Sequence, residues 1–329
     1  MKETKDRLTI DIKENYLKRL DDALLSILLK DRSSGKNLIW ATGTYISHGV
    51  GFGSQDYITP AQITGKRGSI IKPRTEKSKK EQQQRIKNKA EVFTPSWVCN
   101  RQNNLIDNAW FGRENVFNIE TEKGWTTNPD KIVFPEGTTW QDYVKANRLE
   151  ITCGEAPYLT SRYDTVSGEY IEINNRIGLL DRKLRVISEN TDSEQEWVEW
   201  AFTAYKAIYG FDYQGDNVLI ARENLLFAFI EAYIEKFKVS PINDYLLEIA
   251  KIISWNIWQM DGLKFVIPGT CKPYKSLQQS IFDEENERLH TCEGCTKGDN
   301  TKHTGIYCKI MDWEKHKSIK FISLVGRKK

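Results

Sequence analysis

Three cysteines and a histidine near the carboxyl end of the chain have the types and the spacing of metal ligands. Two residues separate Cys292 from Cys295, and His303 and Cys308 follow in a polar stretch that contains glycine. Grouped thiolates need a cation, and cysteine and histidine are the usual ligands of zinc in tetrahedral sites. The pattern therefore predicts zinc on these four residues, in a structural role because no coordination position stays open. A group of unliganded thiols is the alternative.

A second candidate site lies in Arg148–Leu159, RLEITCGEAPYL. Leu149 and Ile151 have the pattern of a buried strand, and Cys153 and Gly154 form a turn too small to block a ligand. The stretch therefore predicts a small-molecule pocket at the end of a strand. Turns of this kind also occur in α/β folds without any ligand, so an ordinary packing turn is the alternative.

Upstream of this turn, the segment Phe93, Thr94 and Pro95 has the pattern of a helix start. Proline is favoured in the first turn of a helix, and a threonine before it can cap an exposed backbone amide. A helix amino terminus that follows a short strand is a ready site for an anion. A plain capped helix without a ligand is the alternative.

Downstream, Asp261 ends a short apolar segment that Gly262 terminates. Trp258–Asp261 has the composition of a buried strand, and an acid at the carboxyl end of such a strand commonly holds a ribose diol in open α/β sheets. Between the two regions, the apolar stripe of Glu194–Tyr209 predicts a helix that ends at Gly210.

Taken in this order, the three segments resemble the amino-terminal part of DNA adenine-N6 methyltransferases of restriction–modification systems. The chain is also similar, over most of its length, to proteins described as restriction endonuclease subunit M. In that family a Phe-Thr-Pro segment helps to hold the methionyl end of S-adenosylmethionine. The cofactor turn follows, with the pattern Pro-x-Cys-Gly-Ser-Gly-x-Phe-Leu, of which this chain keeps Cys153, Gly154, Tyr158 and Leu159.

The family then has a strand end of the type Asn-Leu-Tyr-Gly-Ile-Asp, whose acid binds the adenosine ribose. Here Asn256–Asp261, NIWQMD, matches that pattern at its asparagine, its first apolar residue, its aromatic residue and its acid. The resemblance thus implies S-adenosylmethionine as cofactor and DNA as partner. The implied cofactor residues are Phe93, Thr94, Pro95, Cys153, Gly154 and Asp261.

The chain departs from the family at two places. Glu155 and Ala156 replace the small Ser-Gly pair, and the Glu155 carboxylate would repel that of the cofactor unless it pointed away or were protonated. The catalytic tetrapeptide Asn/Asp-Pro-Pro-Tyr/Phe, which must accept hydrogen bonds from a flipped adenine, is absent from the sequence. Its nearest counterpart, Cys271–Tyr274, has no side-chain acceptor, so no catalytic residue is assigned.

Three functions from different classes follow. The first is an S-adenosylmethionine-dependent adenine methyltransferase subunit whose catalytic loop is unrecognised or supplied by a second restriction–modification subunit. The second is an inactive relative that binds DNA or protein in a restriction or phage-defence complex. The third and weakest is a nuclease built on acids such as Asp56, Glu91 or Asp107, because no Asp…Glu-x-Lys arrangement accompanies them.

The bulk composition fits a soluble, cytoplasmic protein without membrane partners. Of the 329 residues, 39% are hydrophobic and 28% are charged, no apolar run approaches the ~20 residues of a bilayer span, and the start lacks a signal-peptide pattern. The net charge is only +3, but Lys72–Lys89 contains eight basic residues against two acids. This run predicts a solvated linker or exposed helix, and it would also suit a phosphate backbone.

The sequence therefore predicts an α/β fold with a partial Rossmann-like methyltransferase sheet. We expect a helical, glycine-rich and basic amino-terminal segment over residues 1–89 and a methyltransferase-like core over 90–268. A small Cys/His module should occupy residues 269–329.

Overall fold

A parallel sheet of three strands organises the fold. The computed structural model describes residues 14–89, 91–278 and 286–325. In the sheet, β3 (Arg148–Ile151) pairs with β4 (Ile208–Asp212) and β4 pairs with β5 (Ile257–Gln259), so β4 is the central strand. Because all three strands run in the same direction, their carboxyl ends meet at one edge of the sheet. This edge is called the carboxyl edge below.

The helices and strands of the described residues have the following bounds. The helices are α1 (Glu14–Leu20), α2 (Asp22–Leu29), α3 (Pro60–Ile63), α4 (Lys79–Lys89), α5 (Ser96–Phe111), α6 (Trp140–Lys145), α7 (Leu179–Asn190), α8 (Glu194–Lys206), α9 (Gly215–Phe237), α10 (Asn243–Asn256) and α11 (Glu293–Lys297). The strands are β1 (Asn118–Glu120), β2 (Trp125–Thr127), β3 (Arg148–Ile151), β4 (Ile208–Asp212), β5 (Ile257–Gln259), β6 (Tyr274–Gln278), β7 (Asn286–His290), β8 (Lys309–Asp312) and β9 (Lys317–Lys320).

Helices connect the parallel strands. The chain passes from β3 to β4 through α7 and α8, and from β4 to β5 through α9 and α10. Each crossover returns the chain to the end of the sheet at which the previous strand began, so that the next strand can run parallel to it. α9 is buried along nearly its whole length, so it is the central helix of the large apolar core.

The predicted helix Glu194–Tyr209 is shorter in the structure. It ends at Lys206, and the next residues already belong to the sheet, since the Ala207 carbonyl accepts the Arg148 N–H. Gly210 therefore lies inside β4 and is not a helix cap. A side chain there would press against the Cys153 sulphur, only 3.3 Å from its Cβ, which explains the glycine.

The two faces of the sheet are covered differently. Helices cover one face, whereas the antiparallel hairpin β8–β9 and the segment after it cover the other. Phe321 stacks on Trp258 and Phe211 with ring-centre distances of 5.0 and 6.1 Å. The carboxyl-terminal region thus forms the layer that covers one face of the sheet.

The amino-terminal segment packs into the same core as the helices. Leu24, Trp40 and Phe52 belong to the large apolar cluster, and Ile39 exchanges hydrogen bonds with the Gln259 side chain at the end of β5. The parallel sheet and its helices confirm the predicted α/β class, whereas the predicted domain boundaries stay predictions. Within the described residues, no helix combines the length and the apolarity needed to cross a bilayer.

The contact between Gly215 and Ile39 offers a test of this packing. A Cβ atom on Gly215 would collide with the Ile39 carbonyl oxygen, which is rigid backbone. We expect Gly215→Ala to lower the free energy of unfolding by roughly 2 kcal/mol, as overpacking of a closed core does. Gly43→Ala, whose Cβ would be 3.4 Å from Ile46, is the control. Equal urea denaturation midpoints for the two variants would contradict the packing described.

Candidate functional site

Four potential metal ligands meet in the carboxyl-terminal region. The donor atoms of Cys271, Cys292, Cys295 and His303 all lie within 4.8 Å of one another. His303 Nδ1 is 3.6, 3.5 and 3.6 Å from the three sulphur atoms in that order. In a tetrahedral zinc site, bond lengths of about 2.3 Å to sulphur and about 2.0 Å to nitrogen separate the two atoms by about 3.5 Å. The cluster therefore has the dimensions of a site for a metal ion.

Two glycines let the backbone approach this cluster closely. A Cβ atom on Gly294 would lie 2.6 Å from His303 Nδ1, and one on Gly305 would lie 3.0 Å from Cys271 Sγ. Cys292 immediately precedes α11, so a single helical turn places it near Cys295. The glycine positions are thus explained by the space that the four ligands need.

The thiols of this cluster differ in their ease of ionisation. Burial alone would raise the pKa of Cys292, but hydrogen bonds from Thr304, from the Cys295 amide and from His303 outweigh it and lower the pKa to about 5. Burial and the neighbouring sulphur atoms of Cys295 and Cys292 raise the pKa of Cys271 to about 12. The two thiols thus differ in acidity, and a bound cation would favour the thiolate form of both.

Cys308, predicted as the fourth ligand, lies outside the cluster. Its sulphur donates to the Gln259 carbonyl at 3.3 Å, and the residue is buried in the apolar cluster that includes Trp258. The pairing of the Cys308 amide with the Phe265 carbonyl directs its side chain toward the sheet. Cys271 takes the fourth position, so the prediction of Cys308 is wrong, whereas Cys292, Cys295 and His303 do come together.

The turn after β3 is the second candidate site, and its backbone is strained. Thr152, Gly154 and Ala156 all have positive φ angles, of 50°, 53° and 63°. This conformation is ordinary for glycine but costs on the order of 1 kcal/mol or more for a β-branched residue such as threonine. Such strain clusters at ligand sites more often than in plain packing turns.

An acid on the neighbouring strand holds this turn. Asp212, the last residue of β4, accepts the Gly154 N–H at 3.0 Å and the Gln214 N–H at 2.9 Å. Burial and nearby acids raise the pKa of Asp212 to about 6 even though these two amides favour its ionised form. The Asp212 carboxylate thus lies beside the turn, and its buried surroundings favour the protonated form up to about pH 6.

The segment Phe93–Pro95 packs beside the same turn. A Cβ atom on Gly154 would lie 3.5 Å from the Phe93 ring, and the Thr94 carbonyl accepts the Thr165 hydroxyl at 3.1 Å. Pro95 directly precedes α5, but the first amide of that helix, on Ser96, donates to the protein's own Asp164 carboxylate at 2.6 Å. The expected anion site at this helix start is therefore filled by a side chain of the protein itself.

Glu155 points away from the turn. Its carboxylate accepts the Arg74 amide at 2.6 Å and the Tyr163 hydroxyl at 2.7 Å, and the residue is buried. Burial raises its pKa despite the nearby Lys77 ammonium. Glu155, which stands where the family pattern has serine, thus points its carboxyl group into the protein interior.

Asp261 lies at the same carboxyl edge, but one strand further from the turn than Asp212. It follows β5, its carboxylate accepts the Leu263 amide at 3.1 Å, and it pairs with Lys264 at 3.3 Å. Asp212, which accepts the Gly154 N–H, was missed because the preceding residues continue a helical apolar stripe. A signal was nevertheless present, since AIYGFD at residues 207–212 contains the tyrosine, glycine and acid of the strand-end pattern.

The carboxyl edge carries exposed apolar side chains. They are Val92 beside Phe93, Ile151 at the end of β3, Tyr213 after β4 and Leu263 after β5, with exposed fractions of 77, 65, 41 and 83%. Each strand of the sheet contributes one of them. Apolar groups gathered at the ends of parallel strands, next to a glycine turn, are typical of a ligand-binding surface.

Two cavities lie away from this edge. One of about 640 Å³ lies between α7 and α9 and is lined by Phe117, Arg182 and Lys236, among others. The other, of about 620 Å³, is a groove along β3 lined by residues such as Leu149 and Trp313. Neither cavity is lined by Gly154 or Asp212, so the strained turn and the cavities are separate features.

The two candidate fourth ligands can be distinguished by metal analysis. We expect the purified protein to contain one zinc ion, and Cys271→Ser to lose most of it because a serine hydroxyl is a poor zinc ligand. Cys308→Ser is the matched control and should keep its zinc. Elemental analysis after gel filtration measures both, and the reverse pattern would contradict the cluster geometry.

The raised pKa of Asp212 predicts a pH dependence of stability. A free aspartate ionises near pH 3.9, whereas Asp212 in the folded chain does so near pH 6. The folded state therefore binds the extra proton, and its contribution to stability is lost as the pH rises through 6. Between pH 5 and 7 the wild type should lose roughly 1 kcal/mol relative to Asp212→Asn. A difference in unfolding free energy that stays constant over this range would rule out the buried carboxylate.

Comparisons with models of protein families, with curated proteins and with solved structures find no match. The function of this chain is therefore inferred from the residues of the metal cluster and of the carboxyl edge.

Proposed function

We propose that the chain is an S-adenosylmethionine-dependent DNA adenine-N6 methyltransferase-like subunit of a restriction–modification or phage-defence system. The observation that carries this proposal is the meeting of Phe93, Gly154 and Asp212 at the carboxyl edge. The ring, the turn and the acid come from distant parts of the sequence. The resemblance assigns the first two to the cofactor, and the third supplies the acid that the cofactor needs.

The sheet supports a nucleoside-binding role. Three adjacent parallel strands joined by helical crossovers support this proposal, because ligands of Rossmann-like sheets bind outside the carboxyl ends of such strands. The glycine turn follows the first strand and the acid ends the second, in the order used by dinucleotide-binding folds. The proposed cofactor thus lies across β3 and β4, with its adenosine toward Asp212.

Each group at this edge has a role that its chemistry suits. Asp212 accepts hydrogen bonds from the ribose hydroxyls, and Asp261 is the alternative acid for this role. Gly154 allows the cofactor to approach the backbone, and Phe93 packs against its methionyl end. The exposed apolar side chains at the ends of the strands cover the adenine ring, which is itself planar and largely apolar on its faces.

Zinc is the proposed occupant of the Cys3His cluster. Three thiolates and one imidazole at tetrahedral separations favour zinc over the harder cations, which prefer oxygen ligands. All four ligands come from the protein, so the ion has a structural role.

Only part of the basic run is available to DNA. Arg85 and Lys77 are buried, with Arg85 2.8 Å and Lys77 3.5 Å from Asp216. Lys79, Lys80 and Lys87 of α4 are exposed. We propose that these three lysines contact the phosphate backbone, an interaction that weakens with salt and carries no sequence preference.

An inactive relative is the second candidate, and one observation favours it. The nearest counterpart of the missing catalytic tetrapeptide begins at Cys271, which belongs to the metal cluster. Methyl transfer would therefore need a catalytic loop elsewhere in this chain or from another subunit. A nuclease gains no support, because Glu91 and Asp107 are engaged in ion pairs of 2.6 Å with Arg85 and Arg182.

Titration calorimetry with S-adenosylmethionine tests the proposed site. We expect micromolar binding that weakens at least about tenfold in Asp212→Ala, because a buried hydrogen-bonded acid contributes roughly 1.5–3 kcal/mol. Phe93→Ala, at a half-buried position less prone to unfolding, should weaken it as well. Lys145→Ala, just before the amino end of β3 and so away from the carboxyl edge, is the control. No heat of binding to the folded wild type at millimolar cofactor would refute the proposal.

A radiolabelled methyl-transfer assay on adenine-containing DNA then distinguishes the two candidates. Transfer by the isolated chain supports an active enzyme, and cofactor binding without transfer supports the inactive relative or a missing partner.

A further inference from the structure

We propose that a metal ion in the Cys3His cluster fixes residues 261–271, here called the edge arm, against the end of β5 and so shapes the carboxyl edge. The effect on the cofactor rests on the proposed function, whereas the effect on the arm does not.

The edge arm begins as a direct continuation of the sheet. Beyond β5, the Met260 amide donates to the Asp212 carbonyl at 2.9 Å. The chain then reverses in a tight turn, in which the Asp261 amide donates to the Val266 carbonyl and the Phe265 amide donates back to Asp261, both at 2.8 Å. This turn presents Leu263 at the carboxyl edge. The position of the exposed leucine therefore depends on what holds the arm.

The returning half of the arm pairs with residues 305–308. Val266 forms a bridge with Tyr307, the Ile267 amide donates to the Ile306 carbonyl at 2.9 Å, and the Cys308 amide donates to the Phe265 carbonyl at 3.0 Å. This is a short antiparallel pairing of about three residues. An isolated pairing of that length is only marginally stable in water, so it needs a further constraint.

The metal cluster supplies that constraint, because its ligands lie at the ends of both paired segments. Cys271 ends the arm, and His303 lies just before the segment that pairs with it. Between them, the Thr304 hydroxyl donates to the Lys272 carbonyl at 2.9 Å and the Ile306 amide donates to the Thr270 hydroxyl at 3.1 Å. A bound ion would cross-link the two segments and also tie them to Cys292 and Cys295.

Removal of the ion should loosen the arm without unfolding the sheet. β3 and β4 are held by the helical core, which includes no ligand of the cluster. The arm's own apolar anchors are Val266 and Ile267, which are buried, and Phe265, whose ring centre lies 6.1 Å from that of Phe321. With the cross-link gone, Leu263 and Asp261, whose charge acts on Tyr213, lose their fixed place, and the edge loses part of its ligand surface.

Hydrogen exchange measured by mass spectrometry tests the effect on the arm. The zinc-loaded wild type is compared with chelated protein and with Cys271→Ser, and Cys308→Ser with retained zinc is the control. We expect faster exchange in residues 261–271 and 303–308 on metal loss, with 148–151 and 208–212 unchanged. Identical exchange in the arm with and without zinc would overturn the proposal. Loss of protection in β3 and β4 as well would show global unfolding and would also overturn it.

The affinity for S-adenosylmethionine, measured in the same samples, tests whether the metal ion also affects cofactor binding. We expect the dissociation constant for S-adenosylmethionine to rise about tenfold without zinc, a coupling of ordinary size, and zinc to restore it in the wild type but not in Cys271→Ser. A loosened arm with unchanged affinity would contradict the coupling. If the zinc-loaded wild type binds no cofactor, the proposed function fails, while the exchange data still decide the role of the metal.

Discussion

The hydrogen bond from the Gly154 amide to the Asp212 carboxylate is the interaction on which the candidate site depends. It joins the turn after β3 to the end of β4, and so fixes the strained residues Thr152 and Ala156 beside the acid. An unpaired carboxylate in this buried place would cost several kcal/mol, and an unsupported turn would relax toward ordinary backbone angles. The two features therefore stabilise each other at the carboxyl edge, where the Phe93 ring packs against Gly154.

A buried ion network fixes the start of α9 next to this contact. Burial opposes the ionisation of Asp216, but the Arg85 guanidinium and the Lys77 ammonium outweigh it and hold its pKa well below the usual range. Because Arg85 also binds Glu91, two residues before Phe93, the network links α4 and the Phe93–Pro95 segment to the same end of the sheet. Part of the basic run thus serves the fold, while its exposed lysines stay free for other contacts.

Sequence patterns predicted the features that depend on neighbouring residues. The Cys292–Cys295 pair and the strand before Gly154 are local, and the structure contains both, but Leu149 and Ile151 of that strand are exposed and Glu150 is buried instead. The strand predicted at Trp258–Asp261 is also present, although it begins at Ile257 and ends at Gln259. Cys271 could not be found in this way, because it joins the cluster only through the pairing of residues 265–267 with 306–308. Asp212 was hidden for a different reason: the apolar spacing of α8 continues into β4, so that a strand looked like the end of a helix.

A crystal structure with S-adenosylhomocysteine, the product form of the cofactor, would test the central claim most directly. We expect the adenosine to lie at the carboxyl edge, with its ribose within hydrogen-bonding distance of Asp212 and its amino-acid end in contact with Phe93 and Gly154. Density for the ligand in the cavity between α7 and α9, or anywhere else away from these three residues, would contradict the account.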